Sequence, residues 1–456
     1  MSCKAEPAQE DPFVTTIATR LLLVALSMLA LAASRADAAR PPNVVFFLAD
    51  DLGWSDTTLY GKTSFYETPN IERLAKEGVR FSQAYAACHV CSPTRASIMS
   101  GKYPARLHLT DWLSGRRNFS FQKLLNAQIH QRLPLKELTL AEALKKHGYA
   151  TGHFGKWHLG EDPAGPLQQG FDVQVPRWNK GWPRAGYHAP FRLNGLKDSK
   201  GDYLTDRLNE EALAFIDRNK DESFFLYYPM ALVHSPFVHP PKLGKLARSK
   251  FTDDLDKKTV AFGHMITYMD HIVGSILARL KKHDLDQNTL VLFTGDNGTH
   301  KNITSRLSEL KLKGGKGSMT EAGSRVPLLA RWPGTIPPGA REEFFCLVDV
   351  LPTIASLADI RLTQPVDGLD LSHNLLGKNG KDRKRVLINY GRGYFVREKR
   401  FRLNQDGKLY DIPVASDATR YSEKATTDPK HDAHRHRLQA LLNQFMAIKT
   451  MEEDEK

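Results

Sequence analysis

Cysteine is scarce in this chain: four in 456 residues, at Cys3, Cys88, Cys91 and Cys346. So few and so unevenly spread, they exclude the framework of a small disulfide-rich domain, and the fold must rest on its core. Long apolar runs are scarcer still. The one candidate, Leu21–Ala33, has 13 residues, short of the roughly 20 that cross a bilayer. Acid is in deficit, with 51 Asp+Glu against 64 Lys+Arg and a formal net charge of +13. That balance favours anionic partners as a class without choosing among nucleic acid, anionic lipid and sulfated or phosphorylated sugars. Internal repeats and low-complexity tracts are absent as well. What remains is ordinary globular material, 41% hydrophobic and 25% charged, enough for a large core.

Arg20 precedes the apolar run and Ala36-Asp37-Ala38 follows it, an A-x-A site of the kind signal peptidase cuts. Residues 1–38 therefore read as an export signal. The protein is expected in the periplasm or outside the cell, or in a lysosomal or secretory compartment of a eukaryote. Neither a nucleic-acid partner nor stable membrane insertion is expected.

Short apolar runs alternate with amphipathic stretches, the pattern of an α/β protein with a mainly parallel sheet. Candidate strands are Asn43–Phe47, Tyr149–Gly152, Phe224–Tyr228, Leu290–Thr294 and Val326–Trp332. Thr139 and Glu142 form a capping box that opens a helix ended by Gly148. Helices are also predicted over Thr205–Asn219 and Lys257–Lys282, where apolar residues recur at helical spacing. From about Lys381 the pattern becomes basic and alternating. Tyr394–Leu403, a turn at Gln405-Asp406-Gly407, and Leu409–Asp411 read as a hairpin. The expected organisation is a catalytic domain over 39–374 and a smaller α+β domain over 375–456, closed by a helix near His434–Lys449.

In open α/β sheets ligands sit beyond the carboxyl ends of the strands, and the residues there are reactive. Asp50 and Asp51 follow the first candidate strand; Asp296 and Asn297 follow the fourth. Four oxygen donors suit Ca²⁺ or Mg²⁺ better than Zn²⁺ or Cu²⁺. Lys156 and His158 follow the second strand, at a spacing that points both side chains to one side of an extended segment. His234 follows the third. His108, His153, His188, His239, His264 and His271 read as structural. Asn297-Gly298-Thr299 also spells a glycosylation sequon.

In the segment Cys91-Ser-Pro-Thr-Arg95, Pro93 suits the first position of a helix and Gly101 its end, so Cys91 stands at a helix N-terminus. Arg95, four residues on, shares the face of Cys91. A helix start favours an anion. The rival reading is a redox C-x-x-C pair, Cys88 with Cys91, whose helix would begin at Cys88 and carry Pro93 in its second turn.

At these residues the chain resembles the formylglycine-dependent sulfatases, specifically the arylsulfatase A-like group of the alkaline phosphatase superfamily. The matching motifs run in order from Pro42–Gly53 through the C-x-P-x-R signature at Cys91, Gly155–Gly160, Gly170–Asp172 and the His234 loop. They continue through Gly295–Gly298, Gly314–Gly317, Glu321–Pro327 and Leu409–Asp411. The resemblance implies an alkaline phosphatase-like fold, a large mixed and mainly parallel sheet flanked by helices. It implies that Cys91 is converted by a formylglycine-generating enzyme to an aldehyde whose hydrate attacks sulfur. Ca²⁺, or else Mg²⁺, would sit on Asp50, Asp51, Asp296 and Asn297 beside residue 91. Arg95 and Lys156 would hold the formylglycine and the charge on the metal side. Lys316 and His234 would contact the sulfate, one of them protonating the departing alcohol, and His158 would help remove the second hydroxyl proton so that sulfate leaves.

Two departures stand out: the usual paired glycines after Glu321 read Ala322-Gly323, and an insertion spans Asp111–Arg132. The expected function is hydrolysis of sulfate monoesters, on a sulfated carbohydrate. The nearest rival is a phosphodiesterase or phosphonate monoester hydrolase of the same superfamily; a non-catalytic binder of sulfated glycans is a rival of another class.

Overall fold

In a computed structural model of the protein, the described residues are 40–60, 63, 65–181, 185–242, 255–303, 312, 314–412 and 423–447. The expected export signal, residues 1–38, and Cys3 lie outside them. One compact unit begins at Pro42.

Its first layer is an eight-stranded sheet of β1 (Asn43–Ala49), β2 (Val79–Tyr85), β3 (Ala150–Phe154), β4 (Val173–Val175), β5 (Phe224–Pro229), β6 (Thr289–Gly295), β7 (Leu328–Arg331) and β8 (Gly339–Cys346). The order is β4-β3-β5-β1-β6-β7-β2-β8. Only β7 runs against its neighbours, so the sheet is mixed and mainly parallel, as expected. β1 reads Asn-Val-Val-Phe-Phe-Leu-Ala with every residue buried, the unbroken apolar run of a strand covered on both faces. Its side chains alternate between two cores. Val45 and Phe47 face one with Phe215, Met269 and Ile272; Val44, Phe46 and Leu48 face the other with Ile98, Leu144 and Ile354.

The flanking helices are α1 (Pro69–Lys76), α2 (Cys91–Ser100), α3 (Leu140–Lys145), α4 (Leu204–Arg218), α5 (Lys257–Lys282), α6 (Glu321–Ser324), α7 (Val350–Leu357) and α8 (Ser372–Leu375). The Thr139 capping box is formed in both directions. Each fully buried Leu, Ile or Phe that these helices contribute stabilises the fold by about 1.5–3 kcal/mol in transfer terms.

An antiparallel five-stranded sheet follows, of β9 (Arg385–Tyr390), β10 (Gly393–Glu398), β11 (Phe401–Asn404), β12 (Leu409–Asp411) and β13 (Lys424–Thr426), with α9 (Asp432–Met446) packed on it. Leu438, Leu442 and Phe445 share a core with Val396, Leu403 and Leu409, and also with Phe344 and Cys346 of β8. The stretch read as one strand, Tyr394–Leu403, is two. The chain turns at Lys399-Arg400, and Arg397 pairs with Arg402 across the turn. Period-2 alternation holds on both sides of such a turn, so pattern alone did not reveal it.

Candidate active site

Register places the site. Leu48 pairs with Pro229 on one side of β1 and Ala49 with Gly295 on the other, so the chain leaves β1, β5 and β6 at one level. Asp50, Asp296 and the loop carrying His234 emerge there together. Asp50 is locked to that loop by two main-chain bonds: its N–H donates to Leu232 O (2.8 Å), and Val233 N–H donates to its carbonyl (2.7 Å). Asp51 N–H donates to Asp296 Oδ1 (3.1 Å), and Asn297 Nδ2 donates to Asp51 Oδ1 (2.9 Å). Asp51 has φ 62° and His158 φ 59°, left-handed conformations that non-glycine residues adopt at a cost.

α2 begins at Cys91 and ends at Gly101, whose φ of 67° closes it. Pro93 is its third residue rather than its first, still inside the turn whose N–H groups have no partner in the helix. Cys91 Sγ lies 3.4 Å from Asp50 Oδ1, 4.0 Å from Asp51 Oδ1 and 3.4 Å from Lys316 Nζ. Arg95, one turn on, donates through Nε to Asp296 Oδ2 (2.9 Å) and through Nη1 to the carbonyl of Lys156 (2.7 Å). Its Nη2 is 2.8 Å from Asp296 Oδ2. Lys156 Nζ donates to Asp50 Oδ2 (2.6 Å), and Lys316 Nζ lies 2.6 Å from Asp51 Oδ1. Three buried carboxylates thus face three cations, one for one.

The electrostatics follow from burial. Desolvation raises the Asp50 and Asp51 carboxyls, but the neighbouring cations, Lys156 first for Asp50 and Lys316 first for Asp51, outweigh it and hold both below the usual carboxylate range. Burial, aided by Asp50, pushes Asp296 up to about 6. Burial pushes the Cys91 thiol up to about 12, and raises Cys88 well above its ordinary value. The first thiol of a redox pair would be depressed; both thiols here are free and buried.

His158 does not sit in an extended segment, as its spacing from Lys156 had suggested; the left-handed turn aims it. Its Nε2 is 2.8 Å from the carbonyl of Leu113, an acceptor, so Nε2 carries the hydrogen and the buried Nδ1, which has no hydrogen-bond partner among the described residues, presents a lone pair. Burial first, then Lys156, lowers its pKa well below the usual histidine value. His234 Nε2 stands 3.8 Å from Asp51 Oδ2, and its ring meets that of His300 edge-on at 6.5 Å.

The donor set fits a hard divalent cation. Ligand atoms of Asp50, Asp51, Cys91 and Asp296 lie within 4.8 Å of one another, and Asn297 Oδ1 is buried without a hydrogen-bond partner. Asn297 is fully buried, so its sequon is not open to glycosylation in the folded chain. Every residue singled out from the sequence, Asp50, Asp51, Cys91, Arg95, Lys156, His158, His234, Asp296, Asn297 and Lys316, is brought to these strand ends. Two contributors had escaped: His300, legible only as the residue after the Gly295–Thr299 segment, and the carbonyl of Leu113, which no side-chain pattern announces. The Ala322 departure is harmless by geometry. Ala322 packs with Trp54, Leu312 and Ile412, whereas a Cβ at Gly323 would stand 2.1 Å from the Ser318 carbonyl; the position that demands glycine has kept it.

A family model described as Sulfatase matches residues 42–360. Arylsulfatase A of Homo sapiens is 34% identical over 397 residues, covering 80% of this chain and 73% of that protein. N-acetylgalactosamine-6-sulfatase of Canis lupus familiaris is 34% identical over 413 residues, covering 84% and 74%. Among solved structures, Ps i-CgsB in complex with k-i-k-neocarrahexaose superposes with a TM-score of 0.74 at 25% identity, over 90% of this chain and 93% of that one.

Proposed function

The chain belongs to the sulfatase family and is a sulfuric ester hydrolase, and on that premise we propose that it removes sulfate from a sulfated carbohydrate after Cys91 has been converted to formylglycine. Membership implies that conversion and a divalent metal; Ca²⁺ is the metal proposed, with Asp50, Asp51, Asp296 and Asn297 holding it beside residue 91. The hydrated aldehyde supplies the attacking hydroxyl and the bound cation the charge that makes it acidic.

The chain's own groups do the rest. Arg95, tied to Asp296 and to the Lys156 carbonyl, fixes the loop after β3 against α2. Lys316, at 3.4 Å from Cys91 Sγ, and Lys156, held on Asp50 beside it, bring positive charge to where the sulfate group would react. Because the carboxylates are already matched by cations, a divalent ion adds positive charge that an anionic sulfate offsets. His234 or Lys316 would donate a proton to the departing alcohol as its sulfate passes to one hydroxyl of residue 91, and His158, with its lone pair on Nδ1, would then take the proton of the second hydroxyl, so that sulfate leaves and the aldehyde returns. An exported location, action of a formylglycine-generating enzyme during maturation, and the domain boundary near residue 375 belong to the same reading.

The observation that carries it is the placing of Cys91 Sγ at 3.4 Å from both a carboxylate and Lys316. Peptide mass analysis of active protein should find the Cys91 CH₂–SH replaced by an aldehyde; full activity from an unmodified thiol would end the proposal. Cys91→Ala should lower turnover by about 10⁴-fold or more, as losing a nucleophile does. Cys88→Ala should leave turnover intact and cost about 1–2 kcal/mol of stability through a small cavity, the outcome that separates this site from a redox pair.

A further inference from the structure

The insertion Asp111–Arg132 carries a surface that hydrolysis does not require. Large hydrophobic side chains left exposed among the described residues are Trp112, Phe119, Phe121, Leu124, Leu125 and Leu135, all in or beside this segment. Phe121 is 81% exposed, Leu124 77% and Leu125 67%. Single exposed apolar residues are normal, but a cluster marks a contact surface. The segment is displayed, not loose. Leu113 N–H donates to Ser92 Oγ (3.1 Å), Asn126 is bonded to Asn118 (2.8 and 2.9 Å), and Arg392 Nε donates to the Leu125 carbonyl (3.2 Å). The rings of Phe119 and Phe121 stack at 5.4 Å.

Charge selects the occupant. From Trp112 to Lys136 there is no Asp or Glu, while Arg116, Arg117, Lys123, Arg132 and Lys136 are all basic and exposed. Arg116 is paired with Asp111 at 3.0 Å. Arg117, Lys123, Arg132 and Lys136 form no ion pair among the described residues. A second copy docked about a two-fold axis would set this acid-free basic surface against an identical one. A sugar chain would use the rings and the cations but would leave Leu124 and Leu125 in water. An anionic bilayer satisfies both sets, with apolar tips sunk below the headgroups and cations at the phosphate level.

We propose that Trp112–Lys136 is a peripheral docking surface for an anionic lipid bilayer. It is reversible and interfacial, not a span. Because Leu113 at its root holds His158, docking sets the catalytic pocket beside the lipid headgroups.

The test is co-sedimentation with vesicles of phosphatidylserine and phosphatidylcholine against phosphatidylcholine alone. The protein should bind the anionic vesicles and release with salt. Phe121→Ser/Leu124→Ser/Leu125→Ser, which alters only exposed side chains, should weaken binding by about 100-fold or more. Arg117→Gln/Lys123→Gln should weaken it by about fivefold per cation. Neither should change hydrolysis of a small soluble aryl sulfate, so failure here is distinct from failure of the sulfatase reading. All variants share one N-terminus, so the differences report on the segment. No binding, or equal binding by the triple variant, would overturn the proposal. So would a dimer or a sulfated-polysaccharide complex that the triple variant abolishes while vesicle binding persists.

Discussion

Two clusters of buried charge among the described residues are built differently. At the strand ends, Asp50, Asp51 and Asp296 meet Arg95, Lys156 and Lys316. Between the two sheets, Glu321 of α6 meets Arg397 Nε at 3.3 Å and Arg402 Nη1 at 3.6 Å, and accepts from Tyr85 OH at 2.5 Å. Arg402 also binds Glu423 at 2.7 Å. In the second cluster the cations are planar and stacked: Arg402 lies over Tyr410 at 4.5 Å and Phe395 at 5.3 Å, and Arg397 over Phe344 at 5.8 Å. In the first, two of the three are lysines, point charges on flexible stems, and Lys316 reaches solvent. The charges at the strand ends sit largely on adjustable arms; those that join the two sheets are guanidinium groups packed against aromatic rings.

The largest expected effect breaks the first cluster. Asp51→Asn should lower kcat by about 10³-fold, roughly 4 kcal/mol of transition-state stabilisation, and elemental analysis should find the divalent metal lost, as after chelation. Its stability without metal should change little, because Lys316 can turn to water and one of three crowded carboxylates has lost its charge. Unchanged metal content would remove Asp51 from the ligand set.

Breaking the second cluster should reverse the pattern. Glu321→Gln removes the one buried carboxylate that Arg397 and Arg402 share, leaving Arg402 with Glu423 and the cluster one negative charge short, a loss of about 3 kcal/mol in denaturant unfolding, while folded protein keeps its turnover within a few-fold. A variant as stable as wild type, or one that is stable but inactive, would refute the division of labour.

A smaller effect sharpens the comparison through pH. Burial raises the Glu321 carboxyl, but Arg397, then Arg402, outweigh it and hold it below its ordinary value of 4.5. A depressed folded pKa contributes stability that is present above 4.5 and fades as pH falls through the folded value. Thermal melts of wild type and Glu321→Gln should therefore differ by a constant interval near neutrality and converge below about pH 4.5. An interval that widens on acidification would show that Glu321 is not the anion of the cluster.

The site was more legible than the scaffold, for a physical reason. Candidate ligands and nucleophiles are marked by residue type and by position at a strand end or a helix start, and both are local, so Asp50, Asp296 and Cys91 could be read directly. β2 and β8 could not. Val79–Tyr85 mixes Arg80, Ser82 and Gln83 among its apolar residues, and Gly339–Glu343 at the sheet edge is largely exposed; their strand character comes from pairing, which is not local. The basic run around Arg397 and Arg402 was a second blind spot. Two arginines in an alternating stretch give no sign of burial, yet both are buried because Glu321, more than seventy positions earlier in the chain, comes to meet them. Likewise, nothing in a sequence shows that a main-chain carbonyl, that of Leu113, will set the tautomer of a histidine.

Asp51 and His158 hold left-handed backbones in which glycine would rest without strain. Selection for folding alone would erode both positions. A library of variants ranked only by thermal resistance should drift toward glycine at 51 and 158 and lose its chemistry as it does so. Under the proposed function, these two positions give up backbone ease so that one carboxylate and one imidazole stand at the strand ends.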